Sequence, residues 1–186
     1  MPLRPLTESD LLTMLEWRNA PAVRENMYTK HEISEAEHRN WFARQRNDVH
    51  SRWYIYEDEK GRPQGVVYFT QYQPELRNSF WGFYAGQNGK PGLGARMELD
   101  ALDHAFTSLG LHKLNCEVIA TNNKVVSLHK KFGFKEEGVF RDVHFNGKEF
   151  VDVIRLGILS SEWLNKRTEI IGRIARLDQI KNSKND

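Results

Sequence analysis

Paired cysteines, long apolar runs and an excess of either charge are all missing from this chain of 186 residues. No stretch approaches the roughly 20 consecutive apolar residues of a membrane-spanning helix, so we expect no membrane insertion. The single cysteine cannot form an internal disulfide, and residues 1–5 lack a basic-then-apolar signal pattern; both indicate the cytoplasm. The net charge is only +2, with basic and acidic residues interleaved, which argues against binding to nucleic acid.

Aromatic residues, in contrast, are plentiful. They make up 11% of the chain and include five tryptophans, while charged residues account for 28% and hydrophobic residues for 39%. This length and composition predict one globular domain with a substantial core. Bulky aromatic side chains usually fill a core or a binding groove. We expect them to form the core under a sheet and one wall of a binding groove.

Capping and turn signals divide the first half of the chain. A short strand at 3–6 leads into a capping pattern at 7–10 and a helix that carries Leu11, Leu12 and Leu15. A second capping box at 34–37 opens another helix. Three segments rich in β-branched and aromatic residues, separated by turn residues, then predict three antiparallel strands: 52–57, 64–71 and 79–85.

The second half alternates helices and strands. Its predicted elements are a helix from Ala95 to Leu109, a buried strand at 114–120, a helix at 124–132, a strand at 135–145, a strand at 149–159 and a charged helix from 161 to about 180. Gly133 should end the helix before it, and Asn146-Gly147 is a strong hairpin signal. We expect one domain at 1–160, followed by a helix and polar tail at 161–186.

A glycine-rich loop, 86–94, joins a predicted strand to a predicted helix. Its backbone N–H groups and the positive end of the helix can form an anion site suited to phosphate, or the loop is a plain turn. Gly92-Leu93-Gly94 begins a dinucleotide-binding fingerprint, but Met97 stands at the third glycine position and no Gly-Lys-Ser/Thr follows. Metal binding is not expected either, because the seven histidines lack ligand spacing.

These elements, with the Lys-Lys-Phe-Gly-Phe segment at 130–134, resemble the Gcn5-related N-acetyltransferase (GNAT) superfamily. The resemblance spans residues 3–159 and implies an α+β fold: a mixed, mostly antiparallel twisted sheet of about seven strands, flanked by four helices, plus a C-terminal helix. It also implies acetyl-coenzyme A (acetyl-CoA) as co-substrate, without a metal. The family loop carries Gln or Arg where this chain has Gly89, a departure that Lys90 could offset.

The resemblance implies a cofactor site on the loop, on the strand before it and on the helix at 124–132. The expected residues are Phe83, Tyr84, Ala85, Gln87, Asn88, Gly89, Lys90, Pro91, Gly92, Leu93, Gly94, Ala95, Asn122, Asn123, Ser127 and Lys130. The strand at 83–85 would offer backbone groups to the pantetheine arm and the oxyanion.

Three residues are candidates for proton transfer. Glu117, on the central buried strand, is either the base that receives the amine proton or one half of an ion pair. His129 stands where many relatives have a tyrosine that protonates the thiolate, and it is either that acid or a satisfied buried histidine. Tyr84 is a second candidate acid. Cys116 reads as a small buried strand residue rather than as a nucleophile.

The first third of the chain suggests the acceptor. Trp17-Arg18-Asn19, Val23-Arg24 and Glu37-His38 resemble N-acetyltransferases that act on 4-amino sugars attached to UDP, as in pseudaminic acid biosynthesis for flagellin glycosylation. That likeness implies an acceptor pocket of Arg18, Met27, Tyr28 and His50, with arginine suited to phosphate. A protein N-terminus or a polyamine as acceptor, and an inactive acyl-CoA-binding module, stay open. So does a homodimer.

Overall fold

The computed structural model describes residues 2–86 and 92–182, which form one twisted sheet with helices on both faces. The sheet contains seven strands, in the order β1-β2-β3-β4-β5-β7-β6. The strands are β1 (Leu3–Pro5), β2 (Arg52–Glu57), β3 (Pro63–Gln73), β4 (Asn78–Ala85), β5 (Lys113–Ile119), β6 (Lys135–Phe145) and β7 (Phe150–Leu159). The α+β fold class predicted from the sequence is therefore confirmed.

Six α-helices accompany the sheet in the described ranges. They are α1 (Leu11–Asn19), α2 (Pro21–Arg24), α3 (Glu35–Gln45), α4 (Leu93–Asp103), α5 (Asn123–Phe132) and α6 (Ser160–Asn182). The predicted helix ends are visible in the caps: the Ser34 hydroxyl accepts a hydrogen bond from the Glu37 amide, and Gly133 ends α5 with a φ of 105°. The four-residue helix α2 was not predicted, because Pro21 at its first position reads equally well as a turn.

Strands β4 and β5 are the only parallel pair among the described strands, and they pair over a short distance. Their register joins Asn78 to Lys113, Ser79 to Leu114 and Phe80 to Asn115, and then the pairing stops. Strand β4 continues to Ala85 beside β3, while β5 continues to Ile119 beside β7. The sheet therefore opens into a wedge-shaped slot between the two strands, with its closed end at Phe80 and Asn115.

Two apolar clusters support the slot from opposite faces of the sheet. The larger one packs α4, α5 and α6 against one face, and includes Met97, Leu102, Leu114 and Trp163. The smaller one packs α1 against the other face and includes Met14, Trp17 and Tyr84. Aromatic residues contribute to both, in agreement with their abundance in the sequence. Leu12 points to solvent instead, because the buried stripe of α1 runs through Leu11, Met14 and Trp17.

Helix α4 runs on into a single π-helical turn, His104–Ser108, so that the predicted helix to Leu109 consists of two segments. Beside this junction, Asp103 accepts hydrogen bonds from the Trp163 indole (2.9 Å) and the Arg167 guanidinium (2.7 and 2.8 Å). These contacts fix α6 against α4. In the described part of the chain, no helix combines the length and apolarity needed to cross a membrane.

Gly65 on β3 lies where the sheet is too tightly packed for a side chain. A Cβ atom there would lie 2.6 Å from Met97 Cε and 2.7 Å from the Tyr84 carbonyl oxygen. We expect Gly65→Ala to lower the free energy of unfolding by about 1–3 kcal/mol in urea denaturation, because the strand must shift. The matched control is Gly138→Ala on β6, where a Cβ would have no atom within 4 Å. Equal effects of the two substitutions would contradict this account.

Candidate active site

The slot between β4 and β5 encloses a cavity of about 470 Å³. One wall is the free half of β4 and the other is the free half of β5, and helix α5 closes the side near the larger apolar cluster. Residues of the segment 20–28 form the rim on the opposite side. The lining residues are Ala20, Ala22, Val23, Asn26, Met27, Tyr28, Tyr68, Trp81, Gly82, Phe83, Tyr84, Ala85, Gly86, Cys116, Glu117, Val118, Ile119, Asn122, Lys124, Val125 and His129.

Asn115 holds the closed end of the slot together. Its side-chain amide, 1% exposed, donates hydrogen bonds to Asn78 Oδ1 (2.5 Å) and to the Ser79 carbonyl oxygen (3.0 Å), both on β4. Ser79 is buried too, and its hydroxyl donates to the carbonyl oxygen of Thr70 on β3 at 2.8 Å. Buried polar groups of this kind are costly unless they are paired, so these contacts specify the point at which the strands separate.

The open end of the slot meets the N-terminus of α4. Gly92 caps this helix with a φ of 87°, a conformation that favours glycine. A Cβ on Gly94 would lie 3.7 Å from its nearest neighbours, so packing alone does not exclude a side chain there. A second cavity, of about 600 Å³, lies here and is lined by Gly92, Gly94, Ala95, Asn123, Lys124, Ser127, Leu128 and Lys131. Free helix N–H groups and two lysines suit a phosphate-bearing ligand.

Several predicted cofactor residues meet at these two cavities. Phe83, Tyr84 and Ala85 line the slot, whereas Gly92, Gly94, Ala95, Asn123 and Ser127 line the second cavity. Asn122 caps α5 by accepting the Val125 amide at 3.4 Å, and it also borders the slot. Leu93 faces a different cavity beside Tyr56. The predictions for Gln87, Asn88, Gly89, Lys90 and Pro91 lie outside the described residues.

Lys130 is not brought to either cavity. It extends over the outer surface of α5, where its ammonium pairs with Glu136 at 2.8 Å. Lys131 occupies the expected place instead, because residues 124, 127 and 131 share one face of the helix, whereas residue 130 lies about 100° away. In the structure, Lys131 rather than the predicted Lys130 lines the second cavity.

His129 forms a buried pair at the closed end of the slot. Its Nδ1 lies 2.8 Å from Oε1 of Glu98 on α4; His129 is 3% exposed and Glu98 is fully buried. Burial alone would lower the pKa of His129, but attraction to Glu98 and to Cys116 outweighs burial and raises this pKa to about 10. Burial also raises the pKa of Glu98. The contact therefore holds a proton between Nδ1 and Oε1, and a charged Glu98 favours the protonated form of His129.

Glu117 lies on the opposite face of β5. Its Oε1 accepts a hydrogen bond from Arg155 Nη1 at 3.2 Å, and its Oε2 accepts one from the Tyr28 hydroxyl at 3.1 Å. The Arg155 guanidinium in turn stacks on the Phe80 ring, 4.0 Å from its centroid. The Glu117 side chain is 31% exposed, so this carboxylate faces the cavity rather than being enclosed in an ion pair. Both predictions from the sequence, a base and one half of an ion pair, are compatible with this geometry of Glu117.

The four predicted acceptor residues separate into two groups. Met27 and Tyr28 line the slot beside Glu117. Arg18 lies behind this rim, where its Nη2 donates to the Thr29 carbonyl oxygen at 3.4 Å. Its Nη1 is buried without a hydrogen-bond partner among the described residues. His50 is exposed and away from the slot, with its Nδ1 2.9 Å from the carbonyl oxygen of Tyr72.

Tyr84 contributes to the slot wall, but its ring packs with Met14 and Trp17 in the smaller apolar cluster. Its hydroxyl is buried and has no hydrogen-bond partner within residues 2–86 and 92–182. Burial raises the pKa of this phenol. Of the two candidate acids, His129 is therefore the one with a defined proton-holding partner.

Glu98 and Trp81 were missed in the sequence. Trp81 lines the slot beside His129, at 5.4 Å between ring centroids. The signal for Glu98 was present, because it falls three residues after Ala95 and four before Leu102, on the apolar face of its helix. A carboxylate on such a face needs a buried partner. The identity of that partner depends on the packing of α4 against α5, which the sequence does not reveal.

We expect Asn115→Ala to loosen the closed end of the slot. Loss of two buried hydrogen bonds should lower the free energy of unfolding by about 1–3 kcal/mol and raise KM for acetyl-CoA. The control is Asn47→Ala, which removes an exposed hydrogen bond at the end of α3 and should change stability by less than about 0.5 kcal/mol. Thermal denaturation and steady-state kinetics measure the two effects; an unchanged KM would show that Asn115 does not shape the cofactor slot.

Comparison with known proteins agrees with this geometry. The chain is 30% identical, over 143 residues, to spermidine N(1)-acetyltransferase of Vibrio cholerae, a match that covers 76% of this chain and 75% of the relative. It is 25% identical to spermidine N(1)-acetyltransferase of Escherichia coli K12, with 87% of both chains covered. The crystal structure of the V. cholerae spermidine N-acetyltransferase with CoA and spermine superposes with a TM-score of 0.81 and 27% identity, covering 87% of this chain and 96% of the other.

The family assignment follows from a further match. The model of the acetyltransferase (GNAT) domain family matches residues 1–135, which include the slot, the N-terminus of α4 and helix α5. The fold, the wedge between β4 and β5, and the cavity at the helix terminus agree with this assignment. The chain therefore belongs to the GNAT family of acetyl-CoA-dependent N-acetyltransferases.

Proposed function

We propose that this N-acetyltransferase transfers the acetyl group of acetyl-CoA to a primary amine of a polyamine. The observation that carries the proposal is the similarity to spermidine N-acetyltransferases over three quarters of the chain. The UDP-linked 4-amino sugar expected from the first third of the sequence finds no support in these relatives. The polyamine, an alternative in the sequence analysis, becomes the main candidate.

The acceptor rim offers two kinds of contact to an ammonium group. Glu117 supplies a carboxylate, and Tyr28 and Tyr68 line the same side of the cavity with aromatic side chains. A cation over an aromatic face gains about 0.5–2 kcal/mol, depending on its desolvation. These contacts could orient one end of a polyamine toward the slot.

Proton transfer from the acceptor needs a group on the same face of the sheet. The attacking amine must be neutral, and Glu117 is accessible from the cavity to take up a proton directly or through water. Arg155 and Tyr28 hold the carboxylate in one position. In this proposal, the fixed carboxylate acts as the base. Binding of both substrates in one cavity lowers the activation barrier further, because it holds the amine next to the thioester.

One observation favours a different acceptor. Arg18 is a half-buried guanidinium with no ion pair among the described residues, and Arg24 adjoins the same rim with only a distant partner, Glu32 at 3.9 Å. Two cations near the rim repel a polyamine and attract a diphosphate. A UDP-linked amino sugar is therefore the second candidate.

An acceptor panel distinguishes the candidates. We expect CoA thiol release, measured with a thiol reagent, to be faster with spermidine or spermine than with UDP-linked 4-amino sugars or N-terminal peptides. Activity with the amino sugar alone would overturn the polyamine proposal in favour of the second candidate. CoA binding without turnover on any amine would favour a binding module.

The role of Glu117 is tested by Glu117→Gln. The amide keeps the size of the side chain but cannot accept a proton, so we expect kcat to fall by about 10²-fold, with little change in KM for acetyl-CoA. Glu149→Gln, at the exposed hairpin between β6 and β7, is the matched control and should leave kcat unchanged. Unchanged kcat in Glu117→Gln would assign the proton transfer to solvent.

A further inference from the structure

A second carboxylate, on the other side of β5, has no assigned role. Glu98 is fully buried on α4, and its Oε1 contacts His129 Nδ1 at 2.8 Å. Its Oε2 has no hydrogen-bond partner among the described residues. Replacing such a pair by apolar residues is often neutral or stabilising, so stability alone gives no reason for a charged pair here.

The surroundings of this pair point toward the slot. His129 and Cys116 both line the cavity, and Cys116 directly follows Asn115, the last residue of β5 that pairs with β4. Aromatic rings surround the imidazole, with Trp81 at 5.4 Å, Phe134 at 5.1 Å and Phe83 at 6.1 Å between centroids. The ring is thus held at the closed end of the slot, with Nδ1 engaged by Glu98.

The orientation expected for acetyl-CoA brings its sulfur to the closed end of the slot. Acetyl-CoA has its phosphates at one end and its thioester at the other, and the phosphate-binding features lie at the open end, at the N-terminus of α4 and beside Lys124 and Lys131. The thioester must then reach inward along the slot. Its sulfur approaches Cys116 and His129 rather than the cavity mouth.

We propose that Glu98 is a positioning residue for acetyl transfer: it orients the His129 imidazolium so that the ring delivers a proton to the coenzyme A sulfur. The amine nitrogen forms a C–N bond to the acetyl carbon; as the C–S bond then breaks, its electron pair moves to sulfur, and the sulfur takes the Nε2 proton from the ring. The products are the thiol and a neutral imidazole that still donates from Nδ1 to Glu98. The amine proton leaves on the opposite face of β5, and His129 regains a proton from water.

The groups packed around the His129 ring make its protonation depend on Glu98. Glu98 faces His129 from α4 and Cys116 faces it from β5, while β4 contributes Trp81 and Phe83, which carry no charge. With Glu98 replaced by glutamine, burial becomes the dominant influence, and the pKa of His129 should fall to or below its ordinary value. His129 would then lose its proton at alkaline pH and could no longer act as the donor.

The test is the pH dependence of kcat in Glu98→Gln, with saturating acetyl-CoA and whichever amine the wild type acetylates fastest. We expect the alkaline limb to move down by more than one pH unit, with a loss of about 10-fold or more at pH 8.5 and recovery toward pH 6. The matched control is Asp100→Asn on the same helix, where the carboxylate binds the Tyr56 hydroxyl at 2.8 Å, away from the slot. An equal loss at every pH would overturn the proposal, because it would indicate a structural role.

A second measurement uses the wild-type protein and does not depend on the folding of a variant. Nitrogen NMR of labelled histidine should show the His129 ring protonated up to at least pH 8.5; titration near its ordinary pKa would overturn the proposal. The proposal rests on acetyl transfer and not on the acceptor. If the wild type acetylates an amine and the pH profiles of the wild type and Glu98→Gln coincide, the proposed role of Glu98 is wrong while the enzyme assignment stands. If no amine is acetylated, the proposed acceptors are wrong, and the NMR result still decides the protonation of His129.

Discussion

Two neighbouring parallel strands that stop pairing halfway are the constraint on which the site depends. After Phe80 and Asn115, β4 and β5 follow different partners, and the gap between them becomes the slot. Unpaired strand edges are normally costly in a protein interior, since each free N–H or C=O must find a partner. A bound pantetheine arm, which carries its own amides, can supply those partners. The fold thus leaves backbone hydrogen bonds open for its co-substrate.

Strand β5 also separates the two ends of the reaction. Cys116 and Glu117 are consecutive, so their side chains point to opposite faces of the sheet. Cys116 faces the apolar side with His129 and Glu98, whereas Glu117 faces the rim with Tyr28 and Arg155. In the proposed mechanism, the buried His129 acts as the acid near the thioester and the accessible Glu117 acts as the base near the amine. One strand keeps them apart, so neither neutralises the other.

Local signals in the sequence predicted most of this fold. The N-cap at Ser34, the glycine stop at Gly133 and the Asn146-Gly147 hairpin between β6 and β7 depend on neighbouring residues, and all were confirmed. The features that local signals left open depended on the exact helical face or on packing between elements. Lys130 and Lys131 differ only by a rotation of the helix. The partners of Glu98 and Glu117 lie 31 and 38 residues away in the chain, and strand register and helix packing bring them together.

The position of β7 in the sheet has a consequence for the order of folding. Strand β5 pairs with β4 at three residues but with β7 at seven, and β7 is the last of the described strands. During synthesis, the inner wall of the slot therefore emerges well before the strand that fixes it. Domains assemble cooperatively once their long-range partners are available. The nascent enzyme can thus complete this slot only after β7 has been translated.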